Sequence, residues 1–312
     1  MRILVVGVGA TGGYFGARLL QAGRDVTFLV RQRRAAQLAE HGLRLKSPHG
    51  DLHIPNPPVV LSEQITQPYD VVLLSCKAYD LDSAMDGFAP AMGPATVVVP
   101  VLNGMRHLDR LEARFGAERV MGGRCMISST LDDQGTILHL SPFHVLSFGE
   151  RPAGNSDRAQ ALAEAFGNAG FDVQRSDAML QDMWEKWFFL ATLAASTCLM
   201  RAAIGDILAA PHGRETIAAL LDECTAIAAA NGYPIREPAM RQAQATLFTE
   251  GSPITASMLR DLERGAAIES DQIVGDLLAR RGEVAAPTLE LALTNLKAYE
   301  ARRARNNSNQ GN

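Results

Sequence analysis

The 312-residue sequence is short of the features that mark several protein classes. It has only four cysteines, Cys76, Cys125, Cys198 and Cys224, widely scattered, with no Cys-x-x-Cys pair and no histidine at zinc-ligand spacing. That scarcity excludes a disulfide scaffold, gives no metal-ligand set and predicts buried free thiols. An excess of positive charge is also lacking. With 30 Lys+Arg against 34 Asp+Glu the formal charge is −4, so no bulk attraction to nucleic acid or to an anionic membrane is expected. Beyond the cluster Arg31, Arg33 and Arg34, no basic stripe interleaves with aromatics. Long apolar runs are missing too. The longest strongly apolar stretch, Trp187 to Met200, is bracketed by Lys186 and Arg201 and falls short of the roughly 20 residues a membrane helix needs. The chain begins MRILVVGVG, without the basic region, longer apolar stretch and cleavage site of a signal peptide. The expectation is a cytoplasmic protein with small-molecule partners, no nucleic acid and no membrane.

What is present is an average globular composition, 47% apolar and 21% charged, enough for a sizeable core and, at this length, for two domains. Residues 1–176 alternate short β-rich runs with amphipathic stretches: RILVVG, a helix from about Thr11 to Ala22, DVTFLV, a helix from about Arg33 to Glu40, then DVVLLSC and TVVVPVL. Buried strands alternating with helices imply a parallel sheet with crossover helices. The later strand-like pieces RVMGGRCMISSTL, TILHLS, HVLSFG and FDVQRS, separated by turn residues such as Asp132-Asp133-Gln134-Gly135, are expected to extend the same sheet. From Asp177 the texture changes to long Ala-, Leu- and Met-rich helical patterns, which predict an all-helical second domain over 177–305. Residues 306–312 are polar, lack an apolar anchor and are expected to be a disordered tail.

The sharpest motif is Gly7-x-Gly9-Ala10-Thr11-Gly12, which follows the RILVV strand and opens a helix. That context marks a dinucleotide-binding turn: Gly7 makes the tight turn, Gly9 leaves room for a pyrophosphate, and Gly12 lets helix and strand approach. The amides at the helix start, around Ala10 and Thr11, suit the pyrophosphate charge. The fold class is therefore α/β, an N-terminal Rossmann-type doubly wound sheet followed by an all-helical C-terminal domain. At the end of the second strand stands Arg31, where an acidic residue would serve the ribose hydroxyl of NAD. A guanidinium there suits a 2′-phosphate and favours NADP; a solvated basic helix start is the plainer account of the cluster.

The sequence resembles the ketopantoate reductase family, the 2-dehydropantoate 2-reductases, over nearly its whole length. The resemblance rests on GVGATG with Arg31, SCKAYD after the DVVLL strand, VLNGM after VVVPV, MWEKW at the start of the helical region, and SMLRDLERGAAIES farther on. It implies NADPH-dependent reduction of a branched 2-oxo acid, in pantothenate biosynthesis. By the same resemblance Lys186 is the catalytic lysine and Glu269 assists it, Ser257 and Asn103 bind substrate, and Lys77 and Asn103 lie beside the nicotinamide end of the cofactor. Physically, carbonyl reduction builds negative charge on oxygen, so a cation that also delivers a proton lowers the barrier twice over. Ser257, Asp261 and Glu269 have spacings that allow one helical face. Plainer readings stand beside these: a surface lysine at Lys77, an Asn-Gly turn at Asn103, a snorkelling Lys186, a helix N-cap at Ser257, a solvated Glu269.

The chain departs from the family pattern on the lysine helix. The family carries asparagines four and eight residues after the lysine; here these positions are Leu190 and Ala194, and two further family asparagines fall near Ile204 and Ile254. The expected polar pocket has become largely apolar, which points to a paralogue acting on a more apolar carbonyl substrate as the alternative to ketopantoate itself. An NADP-binding protein without turnover is a third reading, opposed by the retained Lys186 and Glu269. The apolar helical region would suit a homodimer.

Overall fold

The computed structural model describes residues 1–152 and 154–310, and the chain divides into two compact units: Met1–Leu102 with His107–Leu180, and Asn103–Arg106 with the chain from Gln181 onward. The short Asn103–Arg106 segment, within the sheet-forming half by sequence, thus packs with the helical unit.

In the first unit, β1 (Arg2–Val6), α1 (Ala10–Gln21), β2 (Asp25–Leu29), α2 (Gln32–His41), β3 (Leu43–Lys46), β4 (Leu52–Ile54), β5 (Val59–Val60), β6 (Tyr69–Leu74), α3 (Leu81–Phe88) and β7 (Met92–Pro100) follow one another. After α4 (Arg106–Phe115) come β8 (Gly122–Leu131), β9 (Ile137–Gly149), α5 (Asp157–Phe166) and β10 (Asp172–Arg175). One sheet has the order β5-β2-β1-β6-β7 and every pairing in it is parallel. Its central strands are apolar at consecutive positions, Leu4-Val5 and Val72-Leu73-Leu74, all fully buried, as expected of strands covered on both faces. Each such side chain contributes about 1.5–3 kcal/mol on burial.

The pieces after β7 do not extend that sheet. They form a second one, β10-β9-β3-β4 with β8 paired to β9, and a bridge between Val98 and Val120, where the Met121 amide donates to the Val98 carbonyl (3.0 Å), links it to the first. The cause is pairing that sequence proximity does not reveal. β8 and β9 lie antiparallel over most of their length, and β9 then offers its other edge to β3 and β10, both parallel to it. TILHLS and HVLSFG are a single 13-residue strand that passes through Pro142, opposite a register shift between Ile127 and Ser129. A proline is tolerated at such a bulged point because no ladder donor is required of it.

The second unit contains α6 (Met179–Met200, the first two residues belonging to the first unit), α7 (Ile204–Ala209), α8 (Gly213–Ala230), α9 (Glu237–Leu247), α10 (Ser257–Glu263), a π-helical turn at Asp271–Gly275, α11 (Asp276–Ala279) and α12 (Pro287–Gln310). From Ala191 to Cys198 every residue of α6 is buried, the mark of a helix enclosed on all sides. Its two buried threonines bond back onto the helix itself: the Thr192 and Thr197 hydroxyls donate to the carbonyls of Phe188 and Leu193. α12 continues through Asn306–Gln310, where the sequence reading places a disordered tail. Extending an established helix costs far less than starting one, and the Ser308 hydroxyl donates to the Ala304 carbonyl (3.1 Å). Residues 311 and 312 of that expected tail lie outside the described residues. Among the described residues no helix is long and apolar enough to cross a membrane.

Candidate active site

The glycine turn after β1 divides its labour by position. Gly7 has φ +89°, open to glycine at little cost, and a Cβ there would lie 2.8 Å from the Cys76 amide nitrogen. At Gly12 a Cβ would meet Ser75 Oγ at 2.0 Å and the Gly7 carbonyl at 2.4 Å. The Ser75 hydroxyl lies within hydrogen-bonding distance of the carbonyls of Gly7 (2.9 Å) and Val6 (3.0 Å) as donor, tying the end of β6 to the turn. Gly9, by contrast, has nothing within 4 Å of its missing Cβ. It caps α1 without any side-chain hydrogen bond, and helix geometry leaves the amides of Ala10, Thr11 and Gly12 without partners inside the helix. Two crowded glycines and one open one, beneath a row of first-turn amides, form a cradle that fits the pyrophosphate of a dinucleotide.

Arg31 stands at the N-cap of α2, and its Nη2 donates to Asp80 Oδ1 (2.8 Å) and Ser83 Oγ (2.6 Å). The guanidinium is 71% exposed and already oriented by that carboxylate. Arg34 is directed elsewhere, to Gln37 and to the Gly135 carbonyl (3.2 Å). Lys77 caps the short turn Ala78–Asp80 just past β6 and is half-buried; its neighbour Cys76 is the residue against which Gly7 packs. The structure therefore gathers Gly7, Gly12, the Lys77 segment and Arg31 with Asp80 around the carboxyl ends of β1, β2 and β6.

In the helical unit Lys186 Nζ donates to Asn103 Oδ1 at 3.0 Å. These two residues are 83 apart in sequence and meet because Asn103–Arg106 packs with this unit. The Asn103-Gly104 pair is a turn, with Gly104 at φ +75°, and a Cβ on Gly104 would meet the Gln272 carbonyl oxygen at 2.3 Å. Gln272 is 5% exposed and its Nε2 donates to the Asn103 carbonyl at 2.8 Å. One residue on, the Ile273 carbonyl accepts from Trp187 Nε1 at 2.9 Å. Asn103, α6 and the turn Asp271–Gly275 are thus triangulated by three hydrogen bonds. Gln272 has no part in any sequence motif, and a lone glutamine gives no spacing signal that would single it out.

Lys186 is half-buried between Trp184 and Trp187, which are 3% and 1% exposed, with ring centroids 4.9 Å apart. The adjacent Glu185 is committed to Arg236, which donates through Nε and Nη2 (both 2.6 Å). Burial raises the Glu185 carboxyl, but the hydrogen bonds from Arg236 and Gln181 outweigh it and hold the group below its usual range.

Glu269 is buried, and its carbonyl accepts from the Ile273 amide (3.0 Å). It does not share a helix with Ser257 and Asp261 as the spacing suggests. α10 ends at Glu263, Gly265 takes φ +71°, and the Ala266 amide folds back onto the Asp261 carbonyl (2.9 Å), a glycine-terminated helix end. Ser257 is the first residue of α10 and exposed; the cap is Ala256, so the N-cap reading does not hold. On the lysine helix Leu190 is half-buried and Ala194 is 2% exposed. Ile204 is fully buried, its amide donating to the carbonyl of Ile254 (3.0 Å), which is itself 39% exposed. No side-chain hydrogen-bonding group stands at any of the four positions.

All four cysteines are free thiols, and burial pushes Cys198 and Cys224 up to about 12, which leaves them unreactive. The structure also brings together three histidines that sequence spacing keeps apart. His49, His139 and His144 place ring nitrogens within 4.8 Å of one another. Their rings stack, His49 on His144 at 3.8 Å and 21°, so their in-plane lone pairs run side by side instead of converging on a point. Tyr14 Oη pairs with His144 Nδ1 (2.6 Å), Ser47 Oγ with His139 Nδ1 (2.9 Å), and the Phe143 and Pro142 carbonyls with Nε2 of His139 and His49. His139 and His144 stand buried on β9, and the exposed His49 stacks on them from the loop between β3 and β4.

Known proteins match this chain in sequence and in fold. The sequence model of the family described as ketopantoate reductase PanE/ApbA matches residues 3–153, and that of its C-terminal domain matches residues 178–300. A Bacillus subtilis protein named uncharacterized oxidoreductase YkpB is 40% identical over 304 residues, covering 96% of this chain and 99% of its own. The crystal structure of 2-dehydropantoate 2-reductase from Geobacter metallireducens superposes with a TM-score of 0.86 at 28% identity, over 96% of this chain and 99% of that one. D-mandelate dehydrogenase, solved with NADH and anilino(oxo)acetate, has the same fold, with a TM-score of 0.87 over 97% and 99% of the two chains at 20% identity. With both family domains matched in order along the sequence, the chain belongs to the ketopantoate reductase family of oxidoreductases.

Proposed function

We propose that this protein reduces a 2-oxo acid to the 2-hydroxy acid with NADPH, with Lys186 as proton donor. The observation that carries the reading is the Lys186–Asn103 hydrogen bond at 3.0 Å. It aims the ammonium of a lysine that lies between two buried tryptophans in the sequence, with a side-chain carbonyl as its acceptor. Gly7, Gly9, Ala10, Thr11 and Gly12 would hold the cofactor's pyrophosphate, Arg31 its 2′-phosphate, and Lys77 with Asn103 its nicotinamide end. When bound, NADPH supplies the hydride. Lys186 polarises the substrate carbonyl and gives up its proton as charge develops on oxygen. Glu269 orients that lysine or a substrate hydroxyl, and Ser257 binds the substrate's polar end.

A second reading concerns the substrate alone. Leu190 and Ala194 offer no hydrogen bond where the family carries asparagine, and each lost bond costs about 0.5–1.5 kcal/mol. A site built for a substrate hydroxyl discriminates strongly, and a site without such partners loses that preference. The reading is a shift toward 2-oxo acids or related carbonyl compounds with an apolar substituent. NADPH oxidation, followed at the nicotinamide absorbance with ketopantoate beside a panel of apolar 2-oxo acids, separates the two. Efficient turnover of ketopantoate refutes the shift. Lys186→Ala is expected to remove most turnover and leave NADPH binding intact; unchanged turnover refutes the role of the lysine.

A further inference from the structure

We propose that Gln272 is a positioning residue for the lysine chemistry: it holds the Asn103 main chain so that the Asn103 side chain receives the Lys186 ammonium. The inference rests on the reading of Lys186 as proton donor. Its own support is geometric. Gln272 is 5% exposed, and a buried amide is kept only where its polar atoms are used. Its Nε2 donates to the Asn103 carbonyl at 2.8 Å, while Asn103 Oδ1 accepts from Lys186 at 3.0 Å. The two bonds grip one residue from opposite ends, backbone and side chain.

The π-helical turn Asp271–Gly275 explains how Gln272 reaches that carbonyl. The wider turn inserts an extra residue into the helix and re-aims the side chains within it, a distortion that recurs at functional sites. The Gln272 carbonyl also abuts the face of Gly104 where a side chain would project, so the Asn-Gly turn is pressed against this segment by backbone as well as by the amide. Through the Ile273 carbonyl the same segment takes the indole N–H of Trp187, the residue after the lysine. Glu269 lies three residues before Gln272. One short segment therefore carries Glu269, fixes Asn103 and braces the helix of Lys186.

The test compares Gln272→Met, which keeps length and loses the donor, with Gln272→His, which keeps an N–H at comparable reach. Loss of one neutral hydrogen bond that serves the reaction corresponds to roughly a 2- to 13-fold fall in kcat. That fall is expected for the methionine variant, with recovery in the histidine variant. The pH profile adds a readout that packing alone does not move. A carbonyl accepting from an ammonium favours the protonated lysine, so displacing Asn103 moves the alkaline limb of kcat to lower pH. In an Asn103→Ala background Gln272→Met should cost little further, because its route to the lysine is gone. Equal losses in the Met and His variants with a parallel fall in Tm and an unmoved alkaline limb overturn the proposal. The same holds for full additivity with Asn103→Ala. If Lys186→Ala itself keeps wild-type turnover, the underlying reading fails; if that variant is inactive and Gln272→Met retains wild-type kcat and pH profile, only the present inference fails.

Discussion

Substituting Gly9 and Gly12 by alanine should separate cofactor binding from folding within a single motif. At Gly12 the added methyl would fall 2.0 Å from Ser75 Oγ and 2.4 Å from the Gly7 carbonyl. Overpacking of this kind costs about 1–3 kcal/mol, and displacing Ser75 puts at risk hydrogen bonds worth about 0.5–1.5 kcal/mol each. The gain in helix propensity on replacing glycine returns about 1 kcal/mol. The net loss is about 1–4 kcal/mol, and at roughly 2–4 °C per kcal/mol for a unit of this size the Tm falls by several degrees. At Gly9 the methyl would meet nothing within 4 Å, and the backbone there, φ −87° and ψ −158°, is open to alanine. Loss at a helix cap and gain from a less flexible unfolded chain nearly cancel, leaving stability within about 1 kcal/mol of wild type. On the proposed reading a pyrophosphate approaches through the space above Gly9, so Gly9→Ala should lose the rise in Tm that NADPH is expected to confer on the wild type. Thermal denaturation with and without NADPH reads both quantities. A Gly9→Ala protein with an undiminished NADPH shift, or a Gly12→Ala protein as stable as wild type, refutes the division of labour.

Arg31→Ala should weaken NADPH by roughly 10-fold, a figure kept low because the guanidinium is exposed, and should barely affect NADH; equal losses in titrations with the two cofactors contradict the 2′-phosphate role. Burial, the largest cause, together with repulsion from the neighbouring His49 and Arg18, holds His139 and His144 below the usual histidine range, against the Phe143 carbonyl and Asp172, which favour the charged forms. Groups depressed in the folded state stabilise it above their unfolded value of about 6.5 and lose that contribution as pH falls through the lower folded value. Denaturant unfolding of wild type and His144→Gln between pH 7 and 5 should therefore show a shallower acid loss in the variant, and parallel curves would discount the stack. Leu190→Asn, at a half-buried position, should raise kcat/KM for ketopantoate relative to apolar 2-oxo acids in the coupled NADPH assay; no gain counts against the substrate shift. Ala194→Asn, at 2% exposure, is expected instead to destabilise by about 1–3 kcal/mol, visible as a lower Tm.

Much of the first unit is legible in the chain because its signals are local. Strands apolar on both faces, the glycine turn between strand and helix, and Arg31 two residues past the end of β2 each need only a few neighbouring residues to be recognised. The second sheet is not legible in this way. β3 and β9 pair across 92 positions, Leu45 with Ile137, and nothing in either strand names its partner. The helical spacing of Ser257, Asp261 and Glu269 misleads for a related reason: periodicity assumes an unbroken helix, and Gly265 breaks it.

The same division runs through the candidate site. Composition, the glycine motif and the family resemblance determine by themselves the α/β fold, the dinucleotide turn and which lysine to suspect, since each depends on residue type and short spacing. Only the tertiary structure decides that Asn103 leaves the sheet-forming half to accept from Lys186, that buried Gln272 holds it there, and that Arg31 is already paired with Asp80. Those contacts join residues 49 to 169 positions apart, and a contact of that range is fixed by packing of the whole chain, which no local pattern encodes.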